Sequence, residues 1–345
     1  MTCEVSGGQR DSCRPHRKQN AQLRRGAPYD AHVYYGKLGE CFFHYTGSDT
    51  AFEHILRHRT LQLSPYSTMR DPLEAQDWHV AGAGFSAEPG DVDRQFFEQQ
   101  SLLRRAKAQS KLLSLSVDYA DGLPDDPFGR GYALASMWEL YAQRHAGVCL
   151  VFDRERLIKH LTEALARVGT AFHGPVRYCR SGIMDRPGAS TLMLSGDDSP
   201  DDAVARHIAA HRDALFFTKL LDWEHESEYR FVLVSDVAGP VRCGYGDALR
   251  AVIVGHAFPS WQIPSALTLC GEAKVDARKL VWEMNRPLVI SLKRDDARAG
   301  MERLASGARL RDLARRRTPL PLFRDSNSPT SLPWRERAAI CPYPR

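Results

Sequence analysis

Residues 133–152 read ALASMWELYAQRHAGVCLVF, and in them a helical stretch over 133–144 leads directly into an apolar strand over 148–152. A short continuous apolar run of this kind is typical of a buried strand. Further strand-like runs lie outward from it, at 41–43, 61–63, 113–117, 229–234, 251–254 and 287–290. Helical stretches separate these runs at irregular intervals, so the pattern predicts an α+β fold rather than a regular βαβ repeat.

Two places carry the pattern of a helix start. Thr50 with Glu53 three positions later forms a capping-box pattern, and apolar residues follow at helical spacing. Ser199 is followed by Pro200 and two aspartates, which combines an N-cap, a proline at the first helical position and acids in the first turn. We expect this second helix to run to Leu221.

Charge is unevenly distributed along the 345 residues. Residues 1–28 carry six Lys/Arg against two Asp/Glu, a net +4, and residues 293–345 carry thirteen against six, a net +7. Because the whole chain carries +5, residues 29–292 carry −6. We predict a disordered basic tail over 1–28, a single catalytic-like α+β domain over 29–292, and a partly disordered basic tail, rich in Pro and Arg, over 293–345. The tails could contact nucleic acid or acidic lipid, or be solvated ends only.

The composition also argues against several classes of protein. No apolar run approaches the roughly 20 residues that cross a bilayer, so we expect no transmembrane segment. The first residues lack the apolar core of a secretory signal, which predicts a cytoplasmic protein, or an effector secreted without a signal peptide. Eight cysteines are scattered without a Cys-x-x-Cys pair. We therefore expect structural thiols, with neither a metal site nor a disulfide framework.

Familiar nucleotide and metal motifs do not fit. Residues 82–87, GAGFSA, match the dinucleotide pattern G-x-G-x-x-A, but the EPG of 88–90 follows at once and breaks the helix that this loop requires. The spacing of Asp121, Asp125 and Asp126 is not that of an EF-hand loop. The sequence contains no Walker loop, G-x-S-x-G elbow or H-E-x-x-H motif.

Three stretches carry polar residues where core packing does not require them. His44-Tyr45-Thr46 ends an apolar strand just before a helix start, a place that can bind a polar or anionic ligand. Residues 64–74, SPYSTMRDPLE, form a Pro-containing loop. Residues 223–230, WEHESEYR, put Glu226, Glu228 and Arg230 on one face of a strand. That face is either an exposed, partly self-neutralised edge, or it aims one carboxylate into a pocket while the arginine orients it.

Together with MWELYA at 137–142 and HAGVCLVF at 145–152, these stretches resemble a widespread bacterial family catalogued mainly as a domain of unknown function. Its members show a His-Tyr-Thr start, an Asn-Asp-Pro loop, a Met-Trp-x-x-Tyr-Ala helix, a Gly-Val-Cys strand and a Glu-x-Glu-aromatic-Arg strand. The same order runs over residues 41–254 here. Arg70 stands where the family usually has Asn, and Leu140 where a His is common, so the detailed substrate contacts stay open.

That family is in turn distantly similar to ADP-ribosyltransferases of the His-Tyr-Glu type. The similarity implies an ADP-ribosyltransferase-like split β-sandwich with surrounding helices and a cleft for NAD+ as substrate, without a metal. It makes Glu228 the catalytic residue that accepts a hydrogen bond from the nicotinamide ribose, with Glu226 as the alternative if the register is off by two. It gives His44 the adenosine ribose or the nicotinamide amide, and Tyr66 a stacking contact with nicotinamide. The other cofactor contacts that it implies are Tyr45, Thr46, Trp138 and Arg230.

The resemblance predicts an enzyme that breaks the nicotinamide–ribose bond of NAD+ and transfers ADP-ribose to a protein or nucleic-acid acceptor, as a toxin, effector or phage-defence factor. A carboxylate fits this chemistry, because breaking the bond builds positive charge on the sugar. One alternative is a non-catalytic nucleotide- or partner-binding module of the same fold. The other is a nucleic-acid-binding protein that acts through its basic tails.

Overall fold

The computed structural model describes residues 37, 39–69, 71–78, 89–119, 127–180, 188–189, 192 and 199–294. These residues all belong to one compact unit of the chain, Met1–Ala299. The predicted tails, Arg70, the loop at 82–87 and the aspartates at 121, 125 and 126 lie outside the described residues, except for positions 293 and 294. The domain boundaries predicted at 28/29 and 292/293 therefore stay predictions.

Strands appear at every position where the sequence predicts one, and the mixed fold confirms the α+β class. The strand predicted at 113–117 ends one residue earlier, at Ser116. The strands in the described residues are β1 (Cys41–Thr46), β2 (Thr60–Pro65), β3 (Ser110–Ser116), β4 (Val148–Asp153), β5 (Thr170–Pro175), β6 (Arg177–Cys179), β7 (Thr218–Leu220), β8 (Glu228–Val234), β9 (Val241–Gly244), β10 (Leu249–Val254), β11 (Asp276–Glu283) and β12 (Arg286–Ser291).

Helices alternate irregularly with these strands. They are a π-helical segment (Thr50–Leu56), α1 (Pro72–Ala75), α2 (Pro89–Gln109), α3 (Ala135–Tyr141), α4 (Arg154–Leu165), α5 (Pro200–Phe216) and α6 (Ile263–Ala273). Short 3-10 turns add Tyr66–Thr68, Pro127–Gly129, Leu221–Glu226 and Ser260–Gln262. Within the described part of the chain, none of the helices has the length and apolar character that a membrane crossing requires.

One of the two predicted helix starts is confirmed and the other is wrong. The Ser199 hydroxyl accepts the backbone N–H of Asp202 at 3.1 Å, and Pro200 occupies the first helical position of α5. That helix ends at Phe216, before residue 221, because β7 begins at Thr218. The helix predicted after Thr50 is present, but Thr50 is not its cap, since residues 48 and 49 are already helical. The Glu53 carboxylate instead forms an i,i+4 ion pair with the Arg57 guanidinium at 2.8 Å.

The largest sheet has ten strands and divides between β1 and β3. One half runs β12-β11-β10-β4-β1, and the other contains β5-β8-β3, with β2 and β9 beyond them. All pairings in this sheet are antiparallel except that of β10 with β11. Whereas β1 pairs with β4 along its whole length, it meets β3 at a single position, Phe43 opposite Ser116. The two halves therefore diverge immediately beyond this contact.

The divergence leaves part of one edge of β3 without a strand partner in the described residues. On this edge β3 pairs with β2 at Lys111 and Leu112 and with β1 at Ser116, while Ser114 lies between the two contacts. Backbone groups of alternate residues point to the same edge of an antiparallel strand. The carbonyl of Ser114 therefore faces the gap, where it is bonded by a side chain described below.

The helix in front of β4 is shorter than the predicted 133–144. After α3, Gln143, Arg144 and His145 adopt left-handed backbone conformations with φ of 49°, 52° and 67°. The Gln143 side-chain oxygen accepts the backbone N–H of Ser48 at 3.0 Å, which links this turn to the end of β1. The apolar run that follows is fully buried at every position from 148 to 152, as predicted.

Candidate functional site

A cavity of about 310 Å³ occupies the division of the sheet. Residues 43–45 of β1 and 112–116 of β3 form two of its sides. Strand β2 and the segment after it, the helix α3, strand β7, the 3-10 turn Leu221–Glu226 and the start of β8 contribute the remaining lining residues. The cavity thus collects side chains from elements that are far apart in the sequence.

Glu228 lies in the wall of this cavity at the first position of β8. Its carboxylate accepts hydrogen bonds from Arg230 Nε at 2.6 Å and Nη2 at 2.9 Å, and Lys219 Nζ lies 3.5 Å away. Burial raises the pKa of this carboxyl, but the two cations outweigh burial and hold the pKa at about 2. Glu228 is therefore an anion at any pH near neutrality.

Arg230 fixes the orientation of this carboxylate. Its side chain is 1% exposed, forms an ion pair with Glu74, and donates from Nη1 to the carbonyl of Phe216 at 2.7 Å. The two parallel hydrogen bonds to Glu228 add the geometric specificity of a bidentate pair. Because every side of the guanidinium is engaged, Glu228 has little freedom to rotate.

Glu226 lies beside Glu228, at the end of the 3-10 turn that precedes β8. Its Oε1 accepts the hydroxyl of Tyr141 at 2.6 Å, and its Oε2 accepts Lys219 Nζ at 2.6 Å. Burial lowers the pKa of Lys219, but the carboxylates of Glu228, Glu74 and Glu226 raise it by more. The pKa therefore lies above its usual value, and this lysine remains charged. Lys219 thus bridges two carboxylates, and Glu226 connects the cluster to α3.

The exposed-edge alternative for residues 226, 228 and 230 is wrong. The side chains of Glu226 and Glu228 are each 4% exposed and that of Arg230 is 1% exposed. Taking such charges out of water costs several kcal/mol per ion, which close pairing offsets only in part. A buried group of carboxylates and cations beside a cavity, with strongly shifted pKa values, is typical of a functional site.

His44 lines the same cavity from β1. Its Nδ1 lies 3.4 Å from the carbonyl oxygen of Ser114, at the unpaired part of the β3 edge. Burial lowers the pKa of His44 to about 4, although the hydrogen bond to Ser114 acts in the opposite direction. The ring is therefore neutral near pH 7. Since a carbonyl only accepts, Nδ1 carries the proton and Nε2 is left as an acceptor.

Tyr66 does not line the cavity. Its ring packs against Trp78 and Phe216 in a buried apolar cluster, and its hydroxyl donates to the carbonyl of Leu215 at 3.1 Å. The side chain is 3% exposed, so both faces of the ring are already covered. This arrangement leaves no face for the predicted stacking on nicotinamide, and Tyr66 acts in the structure as a core residue.

The remaining predicted contacts are divided between wall and core. Tyr45 lines the cavity, but its hydroxyl donates to the carbonyl of Gly131. Thr46 is half-buried opposite Val148 and is not among the lining residues. Trp138 is fully buried, and its indole N–H donates to the carbonyl of Tyr132 at 2.8 Å. Neither of the last two forms part of the cavity surface, and Trp138 packs edge-on against Tyr45 behind it.

Leu140, which stands where the resembled family commonly has a His, does not line the cavity. Its side chain is 42% exposed, whereas Met137 and Tyr141 of the same helix face the cavity. Arg70, the other departure, lies outside the described residues. Among the described residues, no group of three or more His, Cys, Asp and Glu side chains is arranged to hold a metal ion.

Sequence reasoning missed several residues that form this site. Nothing in the sequence marks Lys219 as a site residue, because it is a single lysine in the largely apolar run FFTKLL at 216–221. Glu74 and Tyr141 belong to stretches that the sequence singled out, but nothing in those stretches distinguishes them from their neighbours. The alternation of LSLS at 113–116 places Ser114 and Ser116 on one face, which was the one available indication that they act together.

Comparison with known families adds one finding. The profile of a family described as "Protein of unknown function (DUF2971)" matches residues 137–231. This range runs from α3 to β8 and contains Tyr141, Lys219, Glu226, Glu228 and Arg230. The match supports the predicted similarity to a domain-of-unknown-function family over these residues. No significant match was found among curated proteins or among solved structures.

Proposed function

We propose that this protein is an ADP-ribosyltransferase-like enzyme that cleaves the nicotinamide–ribose bond of NAD+ in the cavity between β1 and β3. The observation that carries the proposal is Glu228, a carboxylate that is ionised at neutral pH and that Arg230 and Lys219 fix in the cavity wall. His44, the second residue that the resemblance assigns to such a site, lines the same cavity. The division of the sheet at this point is consistent with the split β-sandwich that the proposal requires.

The reaction breaks the bond between the ribose C1′ and the ring nitrogen of nicotinamide. The bonding electron pair moves to that nitrogen, so the cationic ring leaves as neutral nicotinamide while positive charge builds on the sugar. A carboxylate fixed beside the sugar stabilises this charge without reorganisation. A nucleophilic group of the acceptor then bonds to C1′ and loses its proton to solvent. Glu228 thus acts electrostatically and accepts a hydrogen bond from the ribose.

The charge and size of the cavity favour the nicotinamide half of the dinucleotide. Four acidic side chains line the cavity against Lys219 and Arg230, so its excess charge is negative and complements a cationic ring. Its volume of about 310 Å³ lies at the lower end of the range of small-molecule pockets. We assign this space to nicotinamide and its ribose, while the adenosine half extends outward.

His44 contributes a neutral hydrogen-bond acceptor to this arrangement. Because Nδ1 is engaged with Ser114, Nε2 accepts from either the amide N–H of nicotinamide or a hydroxyl of the adenosine ribose. A neutral ring also avoids repulsion with the cationic nicotinamide. The low pKa of His44 therefore supports binding of this particular ligand.

The proposal is tested by nicotinamide release from NAD+ with wild-type protein and the Glu228→Gln variant. Glutamine keeps the size of the side chain but removes its charge, so we expect the rate to fall about 10²–10³-fold, by analogy with loss of an oxyanion-hole donor. Glu272→Gln, at an exposed position of α6, is the control and should leave the rate unchanged. With both variants shown to be folded by circular dichroism, undiminished turnover by Glu228→Gln excludes this role.

One observation favours a second candidate, a non-catalytic nucleotide- or partner-binding module of the same fold. Both oxygens of Glu228 are already hydrogen-bonded to Arg230, as they are in an ion pair that only anchors the cluster. This alternative predicts saturable binding of NAD+ without release of nicotinamide. Calorimetric titration and a release assay on the same preparation therefore separate the two functions.

The acceptor needs a separate experiment. Incubation with a cell lysate and NAD+ labelled in its adenine shows where ADP-ribose is transferred. Label on protein or on nucleic acid supports the transferase, whereas label only in free ADP-ribose contradicts transfer and leaves hydrolysis of NAD+. The roles of toxin, effector or phage-defence factor are proposals that depend on the acceptor.

A further inference from the structure

Ser116 is a polar residue of the cavity wall that the proposed chemistry does not yet use. It is 1% exposed, and its hydroxyl has no hydrogen-bond partner among the described residues. Burying a hydroxyl without a partner is unfavourable, because its bonds to water are lost and not replaced. Few such groups remain in native proteins, so each requires a physical explanation.

The other serines of β3 have partners. Ser110 donates to the carbonyl of Ala106 at 2.8 Å, and Ser114 hydrogen-bonds to the carboxylate of Glu228. Ser116 has the same chemistry in the same strand but no such partner. A serine in this strand can therefore find a hydrogen-bond partner. Ser116 lacks one because of its position in the sheet.

That position is at the meeting point of the two halves of the sheet. The residue lies opposite Glu228 on one side and opposite Phe43 on the other, and it lines the cavity. Residues directly opposite each other on neighbouring strands direct their side chains to the same face. The unpartnered hydroxyl is therefore on the face of the sheet that carries the Glu228 carboxylate.

We propose that Ser116 is a ligand-contact residue whose hydroxyl donates a hydrogen bond to an oxygen of the molecule bound in the cavity. The identity of that molecule rests on the proposed function, in which the oxygen belongs to the ribose beside nicotinamide or to the carboxamide of nicotinamide. The ligand supplies the acceptor that the free protein lacks. Retention of a destabilising hydroxyl is then explained by affinity for the ligand and not by folding.

The test compares Ser116→Ala with Ser110→Ala, two identical changes in one strand. Removal of an unsatisfied hydroxyl should leave the melting temperature of the free protein unchanged or raise it. Ser110→Ala breaks an existing hydrogen bond and should lower the melting temperature by about 2–4 °C. Titration with NAD+ should give the reverse order, with binding about three- to tenfold weaker for Ser116→Ala and unchanged for Ser110→Ala.

The outcomes separate this inference from the proposed function. If Ser116→Ala binds NAD+ as tightly as wild type does, the contact is absent although NAD+ binding stands. A lower melting temperature for free Ser116→Ala also overturns the inference, because the hydroxyl would then be bonded within the protein. Wild-type protein that does not bind NAD+ overturns both. Titrations with nicotinamide and with ADP-ribose identify the oxygen, since only the probe that carries it loses affinity.

Discussion

Glu74 and Glu228 both form ion pairs with Arg230, but their pKa values are shifted in opposite directions. Burial raises the pKa of Glu74 and remains the larger effect, although Arg230 and Lys219 lower it. For Glu228 burial also raises the pKa, but the same cations prevail and bring it to about 2. Carboxyl groups whose pKa values are pushed apart take different roles in catalytic sites. Glu228 is the carboxyl of this pair that stays ionised to lower pH, and Glu74 is the one that binds a proton more readily.

Glu228 should make the stability of the protein depend on pH. Its pKa falls on folding from an ordinary value of 4.5 to about 2, so its stabilising effect is complete above about pH 4.5 and is lost as the pH falls through about 2. A shift of this size corresponds to about 3 kcal/mol. We expect the difference in unfolding free energy between wild type and Glu228→Gln to shrink by that amount over this range.

Urea unfolding of both proteins at successive pH values measures this difference. Glu272→Gln, on the exposed side of α6, serves as the control and should keep a constant difference from wild type. If the difference for Glu228→Gln is equally constant down to about pH 2, Glu228 is not held as an ion pair in the folded protein.

At the scale of elements, Gly147 connects the left-handed turn after α3 to strand β4. Its backbone N–H donates to the carbonyl of Ala142 at 2.8 Å, and its own carbonyl accepts from Gly255 at 3.0 Å. A Cβ at this position would lie 2.4 Å from the Thr46 carbonyl oxygen, which belongs to β1. The close approach of α3, β1 and β10 at this point therefore requires the absence of a side chain.

We expect Gly147→Ala to lower the unfolding free energy by about 1–3 kcal/mol, because backbone must move to admit the methyl group. Gly271→Ala in α6 is the matched control, since nothing lies within 4 Å of its added Cβ. Alanine is the better helix former, so this control should gain up to about 1 kcal/mol. Thermal unfolding of both variants gives the signs, and a neutral Gly147→Ala would contradict the close packing of the turn.

The elements were predictable from sequence because their signals are local. Residues 148–152 are apolar without interruption, and Ser199 with Pro200 marks the start of α5 directly. The end of α3 was not predictable, because three non-glycine residues adopt left-handed conformations there. Contacts that are remote in sequence support them: Gln143 accepts the N–H of Ser48, and the carbonyl of His145 accepts the N–H of Ala257. Long-range packing overrides local propensity at such a place.

The candidate site was predictable only in part, for the same reason. The acids before β8 stand out because charged residues directly precede an apolar strand. Tyr66 was assigned to the ligand because a loop aromatic has no local sign of burial, whereas Trp78 and Phe216, which cover it, are 12 and 150 positions away. Lys219 was missed because its partners lie on a different strand and a different turn.

At the scale of the whole molecule, an acidic central region is joined to basic ends, +4 over 1–28 and +7 over 293–345. The described residues that line the cavity lie between positions 43 and 230. Deletion of residues 300–345 should therefore leave nicotinamide release within about twofold of wild type. If the basic tail binds nucleic acid, the same deletion should weaken that binding and make its dependence on salt shallower.

Release assays and DNA or RNA titrations at several salt concentrations on the full chain and on the shortened protein measure the two effects. Nucleic-acid binding that survives the deletion unchanged excludes this tail as its source. A large loss of nicotinamide release would show that residues beyond 299 take part in the site.

The central claim is that the cavity between β1 and β3 is the place where NAD+ binds for cleavage. The most direct measurement is a crystal structure of the Glu228→Gln variant with NAD+, in which slow turnover preserves the ligand. We predict the nicotinamide ribose within hydrogen-bond distance of the side chain at 228, with His44 in contact with the same dinucleotide. A dinucleotide bound elsewhere on the protein, with this cavity filled by solvent, would contradict the account.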